Sequence, residues 1–259
     1  MERLEGKIAV VTGASAGIGA SIATALVEHG MTVIGLARRS EAVEELSKSL
    51  VGKKGKLHAF KADISKANDV VEAFQWIQKT FGPPQVLINN AGYAPFSSLS
   101  NLQRDDYEKI QLCFDTNVMG VIMCTNEAIK LMKEGGIHDG HIVNINSVVG
   151  HYVTNNTGFF AYNASKNALR VITEGLRREL AEAKSKIRVS SISPGFVTSE
   201  MGIKSGIPNL NELIAKHPFL DPKNVASSVI HALSAPPNVQ IAEVVVRPLG
   251  PGKGEKNEK

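Results

Sequence analysis

Short apolar runs rich in Val and Ile alternate along this chain with segments whose apolar positions recur at helical spacing. "KIAVVTG" (7–13) is a β-branched run ending in glycine, and "GIGASIATALVEHG" (17–30) then sets Ile18, Ile22, Ala25 and Leu26 on one helical face. The alternation predicts a second strand over "TVIGLAR" (32–38), a helix over "AVEELSKSLVGK" (42–53) and a third strand over "KLHAFKADI" (56–64). A helix over "ANDVVEAFQWIQKTF", the strand "PQVLINNAG", a long helix over about 105–133 and the strand "GHIVNINS" (140–147) follow. A helix over about 162–183 leads to "IRVSSISPG" (187–195), and "PKNVASSVIHALSA" with "QIAEVVVRP" supplies a last helix and a last strand.

Strands of this composition, alternating with helices of about ten residues or more, indicate βαβ units and a sheet covered on both faces. The expected fold class is therefore α/β, a Rossmann-type doubly wound parallel sheet of about seven strands with helices on both faces. Residues 1–248 are expected to form a single domain. The weakly periodic segment 196–222 follows a strand's carboxyl end, where ligands bind in such sheets, and reads as a substrate lid. The Gly-, Lys- and Glu-rich residues 249–259 cannot build a core and read as a flexible tail.

Composition narrows the function classes without choosing one. With 43% apolar and 21% charged residues the chain can bury a large core, and its 29 Lys and Arg against 25 Asp and Glu leave only +4, scattered along the sequence. No basic stripe or aromatic interleaving suggests nucleic acid. Glu2 and Glu5 precede the first strand with no room for a leader's apolar segment, and no apolar run approaches the ~18 residues of a membrane span. The expected location is cytoplasmic. Cys113 and Cys124 lie roughly 16 Å apart along one predicted helix, too far to bridge, and read as reduced core thiols.

Between the first strand and first helix stands "TGASAGIG", with Gly13, Gly17 and Gly19 around Ser15, Ala16 and Ile18. Glycines there let the backbone turn tightly and approach a pyrophosphate, which free N–H groups and the positive helix end stabilise. The bland alternative is an ordinary strand-to-helix turn. At the end of the second strand, where an acid would hold a free ribose 2′-OH, the chain has Ala37 followed by Arg38 and Arg39. Two guanidiniums suit a 2′-phosphate, which favours NADP(H), unless both are solvated surface residues. Asp63, followed by Ile64 at the end of the third strand, is placed to accept from an adenine amino group or to cap the next helix.

Further fragments end near the same sheet edge. They are "NNAG" (89–92), Asn117 in "FDTNVMG", Ser147 closing "NINS", and Tyr162 with Lys166 at i and i+4, a spacing that stacks two side chains on one helix surface. Together with "TGASAGIG" these resemble the short-chain dehydrogenase/reductase family, in its compact single-domain type, from about Lys7 to Pro248. The resemblance implies an NADP(H)-dependent oxidoreductase in which Tyr162 is the general acid in carbonyl reduction and the base in alcohol oxidation. Lys166, with the nicotinamide's positive charge, would lower the phenol's pKa from its usual ~10. Ser147 would hydrogen-bond the substrate oxygen, and Asn117 would hold a water against Lys166 for proton supply. Asn90, Ala91 and Gly92 would border the cofactor, with Asn89 and Asn90 bracing the sheet. Pro194, Gly195, Val197 and Thr198 would close over the nicotinamide amide. Hydride transfer needs no metal, and His138 and His141 in "HDGH" read as a turn.

Most family members carry a glycine pair in the last strand's closing turn, whereas this chain reads "SAPPNVQIAEVVVRPLG" (234–250). That ending, with "GHIVNINSVVGH" and fourteen residues between Ser147 and Tyr162, looks like the branch containing farnesol dehydrogenase and a cytosolic keto-steroid reductase. Val149, Tyr152, Phe159, Phe160, Phe196, Met201 and Ile203 lie beside the catalytic segment or in the lid. They would suit an isoprenoid alcohol or aldehyde, a steroid, or another lipophilic carbonyl compound. The resemblance also implies a homodimer or homotetramer through the helices near 105–133 and 162–183. A non-catalytic NADP(H)-binding sensor or scaffold of the same fold is the alternative function.

Overall fold

A computed structural model describes residues 1–153, 158–198, 201 and 218–249, and in it the apolar runs fold as parallel strands. In chain order the elements are β1 (Ile8–Thr12), α1 (Gly17–Glu28), β2 (Thr32–Ala37), α2 (Ser40–Ser49), β3 (Lys56–Lys61), α3 (Ala67–Thr80) and β4 (Val86–Asn89). Then follow α4 (Arg104–Phe114), α5 (Gly120–Glu134), β5 (His141–Ile145), α6 (Phe160–Glu182), β6 (Arg188–Pro194), α7 (Pro222–Ser234) and β7 (Glu243–Val246). Among the described residues the sheet has seven strands in the order β3-β2-β1-β4-β5-β6-β7, all pairings parallel.

The period-two alternation of each strand divides the core in two. Ala9 and Val11 of β1 face one side with Ile22, Leu26 and Val27 of α1 and Val225 and Val229 of α7. Val10 faces the other side with Phe74 and Ile77 of α3, Ala128 and Met132 of α5 and Leu180 of α6. Because both faces are covered, the strands read as nearly continuous apolar runs.

The long helix expected over 105–133 is interrupted. Asp115–Met119 form one π-turn between α4 and α5, and this turn buries Asn117 completely. Asn117, four residues after buried Cys113 and four before buried Val121, points inward, while Asp115 and Thr116 stay partly exposed. Gly120 then packs on the loop after β3; a Cβ there would lie 2.8 Å from the Ile64 carbonyl oxygen. β3 stops at Lys61 and β7 spans Glu243–Val246, both shorter than the apolar runs suggested. The base of segment 196–222 is closed by a parallel bridge between Val197 and Leu220, with Leu220 N donating to Phe196 O at 2.8 Å. Residues 199–200 and 202–217 of the expected lid, Ile203 among them, and 250–259 of the expected tail lie outside the described residues. None of the described helices is long and apolar enough to cross a membrane.

Among the described residues Phe74 is the largest fully buried side chain, and it lies on α3 against α5 and the sheet. Phe74→Ala is expected to lower the unfolding free energy by about 3–5 kcal/mol, measured by urea denaturation.

Candidate active site

β1 is flanked by β2 on one side and β4 on the other, so the strand order reverses between β1 and β4 and opens a crevice at their carboxyl ends. The glycine loop turns there: Gly13 and Gly17 have φ of +69° and +55°, values that side-chain-bearing residues rarely adopt. Gly19 sits so close to the loop that a Cβ would collide with the Gly13 carbonyl oxygen. α1 begins after Ala16 with no side-chain cap, leaving its first N–H groups pointed at the crevice. This cradle, which a Cβ would fill, fits the pyrophosphate of a dinucleotide, with half-buried Ser15, Ala16 and Ile18 on its rim.

The loop is braced from beneath. Asn90 Nδ2 donates to the carbonyls of Thr12 (2.9 Å) and Gly13 (3.3 Å), while Thr12 Oγ1 accepts from the amides of Asn90 (3.0 Å) and Ala91 (3.1 Å). Asn90 therefore holds the cradle together with its side chain, and Thr12, which opens "TGASAGIG" but was not a candidate site residue, is its partner. Asn89 Nδ2 donates to Thr125 Oγ1 and Asn144 Oδ1, each at 2.9 Å, inside the sheet. Arg38 and Arg39 are exposed beyond β2, and Ala37 is buried. Asp63 Oδ1 accepts from the amide (3.1 Å) and hydroxyl (2.7 Å) of Ser65, and its own amide donates to Asp69 Oδ2 at 2.8 Å. The carboxylate thus organises the turn entering α3. Ile64 is buried beneath Gly120.

Ser147 follows β5 and caps the short turn Val148–Gly150, its hydroxyl accepting from Val149 N at 3.3 Å. Tyr162 and Lys166 lie in the first two turns of α6, one above the other, with the Lys166 ammonium 5.7 Å from the Tyr162 ring centroid. Lys166 is only 4% exposed, and its Nζ donates to Ile145 O at 2.8 Å. Burial lowers the Lys166 ammonium to about 8. It also raises the Tyr162 phenol to about 12, against a smaller opposing effect of its hydrogen bond with Ser147. In the protein by itself the phenol thus moves up, because desolvation outweighs the hydrogen bond with Ser147; the expected lowering included the nicotinamide's positive charge.

Ser147, Tyr162 and Lys166 form one group, and the Asn117 side chain lies beside it. That side chain clasps Tyr93, accepting from the Tyr93 amide at 2.8 Å and donating to the Tyr93 carbonyl at 2.9 Å, and it donates to Ser165 Oγ at 2.9 Å. The direct bond of Lys166 is to Ile145, not to Asn117. The gap at Gly92 is narrow: a Cβ there would lie 3.1 Å from Met201 Cε and 3.4 Å from Asn117 Oδ1. Pro194 ends β6, Gly195 N donates to Val246 O (2.7 Å), Val197 packs on the core, and Thr198 N donates to Leu220 O (3.1 Å).

Aromatic side chains surround the phenol. Phe159 packs edge-on against Tyr162 at 6.4 Å and against Phe96 at 5.4 Å. Phe96 was not among the sequence candidates. It lies directly on Gly158, where a Cβ would collide with its ring, and Ser97 N donates to Gly158 O at 2.9 Å. Phe196, 56% exposed, packs on Phe219 at 5.7 Å, and the exposed Tyr152 ring lies 5.4 Å from the Arg247 guanidinium. Val149 and Phe160 are half-buried beside Ser147 and Tyr162. His141, by contrast, is buried at the opposite end of β5, bonded through Nε2 to Ser190 Oγ at 2.8 Å.

The family model for short chain dehydrogenase matches residues 7–207. Farnesol dehydrogenase of Aedes aegypti is 45% identical over 251 residues, spanning 96% of this chain and 99% of that protein. Dehydrogenase/reductase SDR family member 11 of Gallus gallus is 41% identical over 253 residues, spanning 96% and 98%. Among solved structures, an alcohol dehydrogenase from the archaeon Thermococcus sibiricus, complexed with 5-hydroxy-NADP, matches with a TM-score of 0.82 and 26% identity over 96% of this chain and all of that one.

The buried Lys166 gives a pH signature independent of turnover. Its folded-state value of about 8 lies below the ordinary 10.5, so the native state binds fewer protons than the unfolded chain between those values and gains stability as pH rises through them. Between pH 7 and pH 9.5 wild type is expected to gain about 2 kcal/mol relative to Lys166→Met, read from urea titrations of both proteins. Equal pH dependence of the two would place the ammonium in water.

Proposed function

The chain belongs to the short chain dehydrogenase family and is an oxidoreductase, and we propose that it uses NADP(H) to interconvert a lipophilic alcohol and its carbonyl compound. The observation that carries this reading is the half-buried Tyr162 stacked over the buried Lys166, with Tyr162 hydrogen-bonded to Ser147 and Lys166 to Ile145 O, at the same sheet edge as the glycine cradle. The nicotinamide, when bound, supplies or accepts the hydride at the substrate carbon.

The protein's own residues would handle binding and the proton. Gly13, Gly17, Gly19 and the uncapped start of α1 would hold the pyrophosphate through backbone N–H groups. Arg38 and Arg39, beyond a β2 end that offers Ala37 instead of an acid, would take the 2′-phosphate. Asn90, Ala91, Gly92, Pro194, Gly195, Val197 and Thr198 would line the remainder. Tyr162, held protonated at neutral pH by burial, would donate its proton to the forming alkoxide, whose charge Ser147 would share. In the oxidative direction Tyr162 would accept the proton, and the adjacent Lys166 ammonium would stabilise the phenolate.

The half-buried Phe96 and Phe159 and the exposed Phe196, with Met201 over Gly92, support an apolar substrate. The similarity to a protein named farnesol dehydrogenase makes an isoprenoid alcohol the first compound to test, with steroid and other lipophilic ketones beside it.

Turnover of farnesol, retinoid, steroid and small dicarbonyl compounds with NADPH or NADP⁺ tests the reaction. Tyr162→Phe is expected to lower kcat by at least about 100-fold. Joint replacement of Arg38 and Arg39 by Ala should weaken NADPH about 10- to 100-fold in a fluorescence titration while leaving NADH unchanged. Near-normal turnover of the first variant, or an unchanged cofactor preference in the second, would remove the corresponding part of the proposal.

A further inference from the structure

Ser165 lies between Tyr162 and Lys166 in sequence, yet it has no place in the reaction described above. It is fully buried, and every capacity of its hydroxyl is used. Its Oγ donates to the Tyr162 carbonyl at 2.8 Å and accepts from Asn117 Nδ2 at 2.9 Å; the Cys113 thiol approaches at 3.7 Å. The first bond alone would be an ordinary serine back-bond within a helix. The second comes from another element, the π-turn between α4 and α5.

Asn117 is equally committed. Its Oδ1 takes the Tyr93 amide, and its Nδ2 divides between the Tyr93 carbonyl, Ser165 Oγ and, at 3.4 Å, the Cys113 sulfur. Cys113 also donates to the Tyr93 carbonyl, at 3.2 Å. A continuous hydrogen-bonded path therefore runs from the segment after β4, through the π-turn, to the backbone of the catalytic tyrosine. The hydrogen bonds of Asn117 and Ser165 go to Tyr93, Cys113 and the Tyr162 carbonyl rather than to the phenol or the ammonium.

We propose that Ser165 is a positioning residue, which fixes the first turn of α6 against the Asn117–Tyr93 clasp and so sets where Tyr162 stands relative to Ser147 and the cofactor edge. This rests on the functional reading above, in which Tyr162 transfers the proton. Both ends of the path are backbone groups, so the path controls position without entering the chemistry. Without the Ser165 hydroxyl, one buried Asn117 N–H is left with only the weakly accepting Cys113 sulfur, and both the clasp and the α6 turn lose their shared anchor.

The test compares wild type with Ser165→Ala, Ser165→Thr, Asn117→Ala and the Ser165→Ala/Asn117→Ala double variant. Ser165→Ala is expected to lower kcat about 10- to 100-fold, to displace the alkaline limb of the kcat–pH profile, and to leave NADPH affinity within about threefold. Ser165→Thr, which keeps the hydroxyl, should recover most of the loss. The double variant should lose no more than the worse single one, because both remove the same link. If Ser165→Ala is too unstable to assay, Ser165→Cys replaces it with the same expectations. Wild-type kcat and pH profile in the alanine variant, or losses that multiply in the double variant, would overturn the proposal. Should wild type turn over none of the compounds, the functional reading fails and amide hydrogen exchange decides about the path. Faster exchange of the Tyr93 amide in Ser165→Ala upholds the link across Asn117, whereas a change confined to α6 refutes it.

Discussion

An ammonium withdrawn from water must find hydrogen-bond acceptors or lose its proton, and Lys166, 4% exposed, has one carbonyl at 2.8 Å. That carbonyl belongs to Ile145, the last residue of β5, two residues before Ser147. The same bond that solvates the lysine thus ties α6 to the strand carrying the serine. Tyr162, one helical turn earlier, is swept into the same dry region, where its phenol is driven up while the ammonium is driven down. The two groups are pushed toward neutrality by one cause, and each is the other's natural remedy: a phenolate and an ammonium together are far less costly to bury than either by itself. The site is poised to respond strongly to any further positive charge placed at its edge.

Such a site demands a rigid floor, and the sheet supplies one with buried polar groups. Asn89 and Asn144 stand opposite each other in the β4–β5 register, and Asn89 Nδ2 bonds to Asn144 Oδ1 and to Thr125 of α5. Asn144 Nδ2 bonds in turn to Thr173 of α6 at 2.9 Å. This ladder crosses from one helix to another beneath the catalytic edge. Apolar packing could hold both helices on the sheet, but it tolerates small slides that directional bonds between fixed partners resist.

How much of this was legible in the sequence depended on how local each signal is. Strand and helix alternation, the glycine loop and the Tyr162–Lys166 spacing are short-range patterns, and all placed their elements correctly. The π-turn was not legible, because Asp115, Thr116 and Asn117 sit in an otherwise helical pattern and nothing local marks one extra residue in a turn. The role of the Asn117 side chain was equally hidden, since its partner Tyr93 lies 24 positions away on another element. Phe96 escaped for a related reason: only the bareness of Gly158, 62 positions later, explains its place. A glycine just before an aromatic pair is weak evidence by itself, yet it was the available sign that something large lies on the backbone there.

That glycine also links the aromatic wall to the chemistry. Phe96 rests on Gly158, Phe159 packs against Phe96, and Tyr162 packs against Phe159, so the ring row is built outward from a backbone contact and ends at the Tyr162 phenol. The segment carrying Phe96 begins just after Tyr93, which Asn117 clasps. One short stretch, 93–97, is therefore pinned at its start by the polar path beneath Tyr162 and at its end by the bridge to Phe159. Whatever reaches the phenol from the apolar side meets a wall whose position is set by the same bonds that set the phenol's. The aromatic wall and the phenol then share a common frame, and a change that shifts the wall shifts Tyr162 with it.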